Sequence, residues 1–271
     1  MPDRYAVIGN PVSHSKSPAI HAAFALATGQ DLTYEAILAP LDGFRAKVDS
    51  FRAAGGKGAN VTLPFKLEAF DLAAASTERA RAAHAVNTLS FDADAVRGDN
   101  TDGIGLIRDI ETNLGVEIAG KRVLVMGAGG AARGVLGPLL ERRPASLALA
   151  NRTPDKAIEL AARFASQGHV IGSGYGALSG SRFDIVINAT SASLAGDLPP
   201  LAASVFVAGA LAYDMMYGSG PTLFLRWASK QGVTRLADGL GMLVEQAAES
   251  FFVWRAVRPD TAPVIAMLRA H

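Results

Sequence analysis

The sequence contains no cysteine, which excludes disulfides and thiolate metal sites without indicating a compartment. No apolar run is long enough to span a bilayer, so a membrane-embedded chain is not expected. Neither sign of charge prevails: 26 Lys and Arg against 25 Asp and Glu leave a formal net charge of +1. That balance gives no electrostatic case for a nucleic acid or an anionic membrane as partner. Internal repeats and low-complexity linkers are missing as well. Met1-Pro-Asp-Arg-Tyr5 leads straight into a strand-like run without the apolar core of a signal peptide, so a cytoplasmic location is expected. Hydrophobic residues make up 49% of the chain and charged residues 19%, enough for substantial cores. A length of 271 residues exceeds the ~100–150 of a typical domain, and two domains are expected.

Midway along the chain, Arg122-Val-Leu-Val-Met126 runs into Gly127-Ala-Gly-Gly-Ala-Ala132 and then a helical stretch. Strand, glycine turn and helix in this order form the Gly-x-Gly-x-x-Ala dinucleotide fingerprint. Gly127 allows the tight turn and Gly129 lets backbone approach a pyrophosphate. The small third position brings the helix close to the strand, with its N-terminus toward the phosphates. Roughly twenty residues on, an NAD enzyme would carry an acid for the ribose hydroxyls. Asn151-Arg152-Thr153 stands there instead. A guanidinium suits a 2′-phosphate, so NADP is the expected cofactor.

Ahead of that unit, the chain alternates strand-like and helix-like segments. Strands are expected at 5–8, 32–38, 59–63, 86–91 and 96–98. Helices are expected from Ser17 to about Thr28 with Ser17 as N-cap and Pro18 at the first helical position, near 41–54, and around 65–75 and 77–83. A connecting helix spans 103–114. Strands then follow near 122–127, 146–150, 169–172, 184–188, 205–213 and 233–236, with helices around 130–141, 154–167 and 221–231. This order predicts a doubly wound parallel sheet. An apolar-rich helix over 239–257 and a last helix over 260–270 complete the chain. The expected architecture is α/β in two domains with a cleft between them: an N-terminal α/β substrate domain (1–102 plus 238–271, the C-terminal helices returning to it) and a Rossmann-type domain (103–237).

Four polar clusters sit at predicted strand ends: Ser13 to Ser17, Asn60 to Lys66, Ala85 to Thr88, and Asp99 to Gly103. Ligands in open α/β sheets bind beyond the carboxyl ends of strands, and hydroxyls and amides that both donate and accept suit a small polyhydroxylated ligand. Each cluster also has a plainer reading. Thr101 and Asp102 suffice to cap a helix starting near Gly103, and Gln246 taken alone is an exposed polar residue. His14 and His21 read as packing or surface residues, since no second ligand occurs at helical spacing; no metal site is expected. Lys66 opens a helix, where a cation is mildly unfavourable, so it asks for a further reason.

Taken together, nine motifs occur in a fixed order: Gly9-Asn-Pro-Val-Ser-His-Ser-Lys-Ser-Pro18, Asn60-Val-Thr-Leu-Pro-Phe-Lys66, Ala85-Val-Asn-Thr-Leu89, Gly98-Asp-Asn-Thr-Asp-Gly103, Gly127-Ala-Gly-Gly-Ala-Ala-Arg133, Asn151-Arg-Thr153, Asn188-Ala-Thr-Ser191, Tyr213-Asp-Met-Met-Tyr217 and Asp238-Gly-Leu-Gly-Met242. This series resembles the shikimate dehydrogenase family from about residue 5 to residue 260. The resemblance implies reversible, NADP-dependent reduction of 3-dehydroshikimate to shikimate, with Lys66 and Asp102 as the catalytic pair. It implies that Ser15 and Ser17 hold the substrate carboxylate with help from Tyr217, and that Asn60, Thr62, Asn87 and Gln246 contact the ring hydroxyls. Gly127, Ala128, Gly129, Gly130 and Ala131 would cradle the pyrophosphate. Asn151, Arg152, Thr153 and Lys156 would surround the 2′-phosphate, and Thr190, Ser191, Met215 and Gly239 would lie near the ribose and nicotinamide. A broader quinate/shikimate dehydrogenase is the alternative within the family. The expected partner is a small-molecule substrate, with no nucleic acid or membrane, for a monomer or homodimer. Three positions depart from the usual pattern: His84, expected to pack, Ser193, and Gly218-Ser-Gly-Pro221.

Overall fold

The structure, a computed structural model, describes residues 1–92, 95–190, 197–198 and 200–270. Two compact units divide the chain, Met1–Gly105 joined by the residues from Leu243 onward, and Leu106–Met242.

In the first unit, β1 (Asp3–Gly9), α1 (Ser17–Thr28), β2 (Leu32–Leu38), α2 (Phe44–Ala53) and β3 (Gly56–Val61) are followed by α3 (Lys66–Leu72), β4 (Ala75–Ser76), α4 (Glu78–Ala83), β5 (Thr88–Phe91), β6 (Val96–Asp99) and α5 (Asp102–Arg108). The sheet runs β2-β1-β3-β5-β6-β4. β1 is parallel to β2 and β3, whereas β5 is antiparallel to both β3 and β6. Ala6, Ile8, Ala59, Val61, Val86 and Leu89 build its core with Phe44, Val48 and Phe65 from the helices. The alternation of helices and parallel strands brings the loops after β1 and β3 to one sheet edge. There Asn10 N–H donates to Leu63 O at 2.9 Å.

The second unit contains β7 (Arg122–Met126), α6 (Gly130–Glu141), β8 (Ser146–Asn151), α7 (Pro154–Arg163), β9 (Val170–Gly174), β10 (Phe183–Asn188), β11 (Phe206–Asp214), α8 (Leu223–Lys230) and β12 (Arg235–Asp238). All of its strands are parallel, in the order β12-β11-β10-β7-β8-β9. Read from β9, that is the doubly wound dinucleotide-binding order, with the switch point between β7 and β10. α9 (Leu240–Arg255) and α10 (Ala262–Arg269) end the described chain. Among the described residues, no helix is long and apolar enough to cross a membrane.

Several boundaries depart from expectation. Ser17 is the first residue of α1 rather than its cap: the cap position is Lys16, and the Ser15 hydroxyl accepts from Ser17 N–H at 3.3 Å. α2 begins at Phe44 because Pro40 to Gly43 form a turn, Gly43 N–H reaching Pro40 O at 3.0 Å. The helix expected to reach residue 75 stops at Leu72, and Ala75-Ser76 pair with β6 instead. Thr77 then caps α4, its hydroxyl accepting from Ala80 N–H. α5 does not continue to 114 as an α-helix but widens into a π-helical turn over Asp109–Asn113. His84 takes a left-handed conformation (φ 49°) at the end of α4, and its ring lies 4.3 Å from Phe70.

Candidate active site

Lys66 and Asp102 open α3 and α5, and they meet with Lys66 Nζ 2.6 Å from Asp102 Oδ2. Their side chains are only 16% and 8% exposed, so the pair is largely withdrawn from water. Asp102 suits a helix N-terminus and Lys66 does not; the ion pair supplies the further reason that the lysine's position called for.

Asn87 fixes how the carboxylate is presented. A carboxylate can only accept and a backbone N–H can only donate, so the Asn87 amide has one orientation. Its Nδ2 donates to Asp102 Oδ1 at 2.8 Å, and its Oδ1 accepts from Thr101 N–H at 2.8 Å. The other carboxylate oxygen, Oδ2, is the one facing Lys66. Asn100 steadies the same turn, its Oδ1 accepting from Asp102 N–H at 3.2 Å and its Nδ2 donating to Ala85 O at 3.0 Å. Gln246, on α9, is partly buried and joins the group through Oε1, 3.3 Å from Asn87 Nδ2.

A second polar layer lies around Asn60 at the end of β3. Its Nδ2 reaches Asn87 O at 3.1 Å, Thr88 Oγ1 at 3.1 Å and Ser250 Oγ at 2.9 Å. The Asn60 Oδ1 accepts from the Tyr34 hydroxyl at 2.8 Å. Ser17 is buried and is a polar neighbour of that same phenol; burial pushes Tyr34 well above the ordinary tyrosine range, and the Ser17 contact works the other way. Thr62 stands beside Gly9, where its methyl group occupies the space that any side chain at Gly9 would need. Lys66, Asp102, Asn60, Thr62, Asn87, Gln246, Ser15 and Ser17 thus all belong to the first unit, and hydrogen bonds connect Lys66, Asp102, Asn87, Gln246 and Asn60. Tyr217 belongs to the second unit, in the loop after β11, where burial raises its phenol.

Tyr34 and Ser250 join the site without having been expected there, and Thr88, at the end of the expected Ala85 to Thr88 cluster, joins it without an assigned role. Ser250 follows Gln246 by four residues on α9, and that spacing puts both on one helix face. It is the one local signal that could have found it. Tyr34 lies within a strand and outside every motif, and nothing near it in sequence points to the site. His21, one turn after Ser17 on α1, is fully buried and stacks on Tyr34 with ring centroids 4.1 Å apart and planes 5° from parallel. Burial lowers its imidazole to about 3, so the ring is neutral.

In the second unit, Gly127 (φ 103°) makes the turn after β7. A side chain there would press on Ala189 and Thr190, which follow β10; the two loops flank the switch point. Gly129 and Gly130 face open space where side chains would stand, and no acid occupies the first turn of α6. Asn151 Nδ2 donates to Thr153 O at 2.9 Å, and Arg152, Thr153 and Lys156 are exposed with no carboxylate at 151–153. Tyr175 follows β9, beside Arg152; burial pushes its phenol up to about 12, and the Arg152 cation pulls it down. An uncapped glycine turn at the N-terminus of α6, with Arg152 and Lys156 following the next strand, fits a dinucleotide bearing an additional phosphate. Asn188 and Asp214, which stand in the motifs without an expected role, brace the loops after β10 and β11. Asn188 Nδ2 donates to Asp214 Oδ1 at 3.1 Å, and Asn188 Oδ1 accepts from Thr190 N–H at 3.1 Å. Met215 is buried, and a side chain at Gly239 would collide with its backbone. Ser191 and Ser193 lie outside the described residues. Among those residues, no group of His, Asp or Glu is placed to hold a metal ion.

Comparison with known proteins gives one answer across the chain. The family model for the shikimate dehydrogenase substrate binding domain matches residues 7–89, that for shikimate / quinate 5-dehydrogenase matches 109–195, and that for the shikimate 5′-dehydrogenase C-terminal domain matches 239–269. The shikimate dehydrogenase (NADP(+)) of Nitrosospira multiformis is 65% identical over 270 residues, covering 100% of this chain and 98% of that protein. Among solved structures, an Ael1 enzyme from Pseudomonas putida is similar with a TM-score of 0.92 at 55% identity, over 98% of each chain. Shikimate 5-dehydrogenase from Thermus thermophilus, in complex with NADP(H) and shikimate, has a TM-score of 0.86 at 32% identity, over 99% of each chain.

Proposed function

The chain belongs to the shikimate dehydrogenase family, and on that premise we propose that Lys66 and Asp102 carry the proton transfer of its reaction. The chain is an NADP-dependent oxidoreductase that interconverts 3-dehydroshikimate and shikimate. The observation that carries the proposal is the Lys66–Asp102 pair itself, 2.6 Å apart, largely buried and held in one orientation by Asn87.

Reduction requires a hydride at the carbonyl carbon and a proton at its oxygen. The hydride is the chemistry that NADPH supplies when bound. As the carbonyl π electrons move onto oxygen, the Lys66 ammonium stabilises the negative charge and passes a proton from Nζ to that oxygen. Asp102 remains a carboxylate throughout and keeps the lysine aimed, while Asn87 keeps the carboxylate aimed. Water restores the proton to the lysine. Oxidation of shikimate reverses these transfers.

Ser15 and Ser17 bind the substrate carboxylate with Tyr217, and Asn60, Thr62, Asn87 and Gln246 orient the ring through its hydroxyls. Gly127, Ala128, Gly129, Gly130 and Ala131 hold the pyrophosphate of NADP. Asn151, Arg152, Thr153 and Lys156 hold its 2′-phosphate, with Thr190, Ser191, Met215 and Gly239 beside the ribose and nicotinamide. The net charge of +1 supports a small-molecule substrate over nucleic acid or membrane, for a cytoplasmic monomer or homodimer. Lys66→Ala is expected to lower turnover by roughly 10²–10⁴-fold with shikimate binding retained. Steady-state rates and equilibrium binding check this, and a loss below tenfold with intact binding would remove Lys66 from the proton-transfer role.

A further inference from the structure

Tyr34 lies in the middle of β2, and its hydroxyl joins two residues that come from different elements. It donates to Asn60 Oδ1 at 2.8 Å, and Ser17, in the first turn of α1, is a second polar partner of the phenol. Under the proposed function, Ser17 holds the substrate carboxylate and Asn60 orients the ring. One buried hydroxyl therefore has a residue from each end of the substrate site as a neighbour. Asn60 Nδ2 is already committed to Asn87 O, Thr88 and Ser250, so the Tyr34 donor is what fixes the oxygen side of this amide.

The phenol ring is itself held from behind. His21 stacks on it nearly in parallel, and Phe24, Phe251 and Trp254 surround the imidazole at ring-centroid distances of 6.0, 6.2 and 5.5 Å. Among the described residues, the His21 ring nitrogens are the buried side-chain polar atoms left without a hydrogen bond. A polar ring buried in this way is disfavoured relative to an apolar ring of the same shape. What the ring provides is a flat face against Tyr34, one helical turn from Ser17.

We propose that Tyr34 is a positioning residue for the substrate, bracing Ser17 against Asn60, and that His21 holds the Tyr34 ring in place by stacking. This rests on the substrate roles given above to Ser17 and Asn60. Neither aromatic residue touches the reacting atoms; they act through the two that bind substrate.

The test is Tyr34→Phe, which keeps the ring and removes the hydroxyl. Loss of one neutral hydrogen bond corresponds to a rise of about five- to tenfold in the shikimate KM and in its equilibrium Kd, with the NADP KM unchanged. In an Asn60→Ala background the same substitution is expected to have little further effect, because its partner is gone. His21→Ala is expected to raise the shikimate KM as well, and His21→Phe to recover it by restoring a flat ring. An unchanged shikimate KM in Tyr34→Phe, or equal losses for shikimate and NADP, would overturn the proposal. Failure of His21→Phe to recover the His21→Ala loss would overturn the stacking role. Wild-type turnover of shikimate with NADP is measured first. Its absence would remove the functional reading and this inference with it, whereas normal wild-type turnover beside an unaffected Tyr34→Phe would remove this inference alone.

Discussion

Arg152 stands where the second strand of the cofactor sheet ends, exposed and with no acid at 151–153. Its guanidinium can pair bidentately with a phosphate, and an aspartate there would repel one. Arg152→Asp is therefore expected to weaken NADPH binding much more than NADH binding. Equal effects on the two, read by fluorescence titration, would contradict phosphate recognition by this residue. His21 yields a prediction of a different kind. Unfolded, its imidazole titrates near 6.5, and folded at about 3. Below pH 6.5 the unfolded chain gains a proton that the folded chain does not. The stability is thus fully present above 6.5 and falls with decreasing pH by about 1.4 kcal/mol per unit until roughly pH 3. His21→Phe is expected to lose less stability than the wild type between pH 7 and about pH 5 in denaturant titrations; identical pH slopes would contradict a neutral buried imidazole. Legibility at this scale differs sharply between residues. Lys66 can be singled out because a cation at a helix start needs a reason, and the reason is 2.6 Å away. Tyr34 cannot, because its partners come from positions 17 and 60 and only the fold brings them together.

Elements reveal why some boundaries are readable and others are not. β2 occupies 32–38 as expected, and α1 starts one residue early but ends at Thr28 as expected, because a Pro after Ser17, a left-handed Gly29 and an apolar strand mark them locally. β4 has two residues in an alanine-rich stretch and exists only through pairing with β6, so no local pattern announces it. The π-helical turn after α5 is set by a distant partner: Asp109 accepts from the buried Tyr213 hydroxyl at 2.6 Å and from Asn113 Nδ2 at 3.0 Å. The same carboxylate occupies the space a side chain would need at Gly241, in the first turn of α9. Gly241→Ala is therefore expected to cost about 1–3 kcal/mol through overpacking and a disturbed buried carboxylate. A melting curve checks this, and an unchanged Tm would show that the turn yields freely.

Over the whole molecule, the sequence pattern is sufficient for a two-domain α/β architecture, since strand–glycine–helix order and alternating elements are local signals. Strand order is not readable to the same degree. The β2-β1-β3-β5-β6-β4 sheet mixes parallel and antiparallel neighbours, and the choice depends on contacts between segments far apart in the chain. The proposed catalytic arrangement depends on that order: Asn60 on β3, Asn87 just before β5 and Asp102 just after β6 converge because those strands are neighbours. The most direct test is initial rate at the nicotinamide absorbance, with shikimate and quinate each offered NADP and NAD. Fast turnover is expected with shikimate and NADP, and far slower turnover with the other pairs. Comparable rates with quinate or NAD would contradict the assigned specificity, and no turnover with any pair would contradict the assigned reaction.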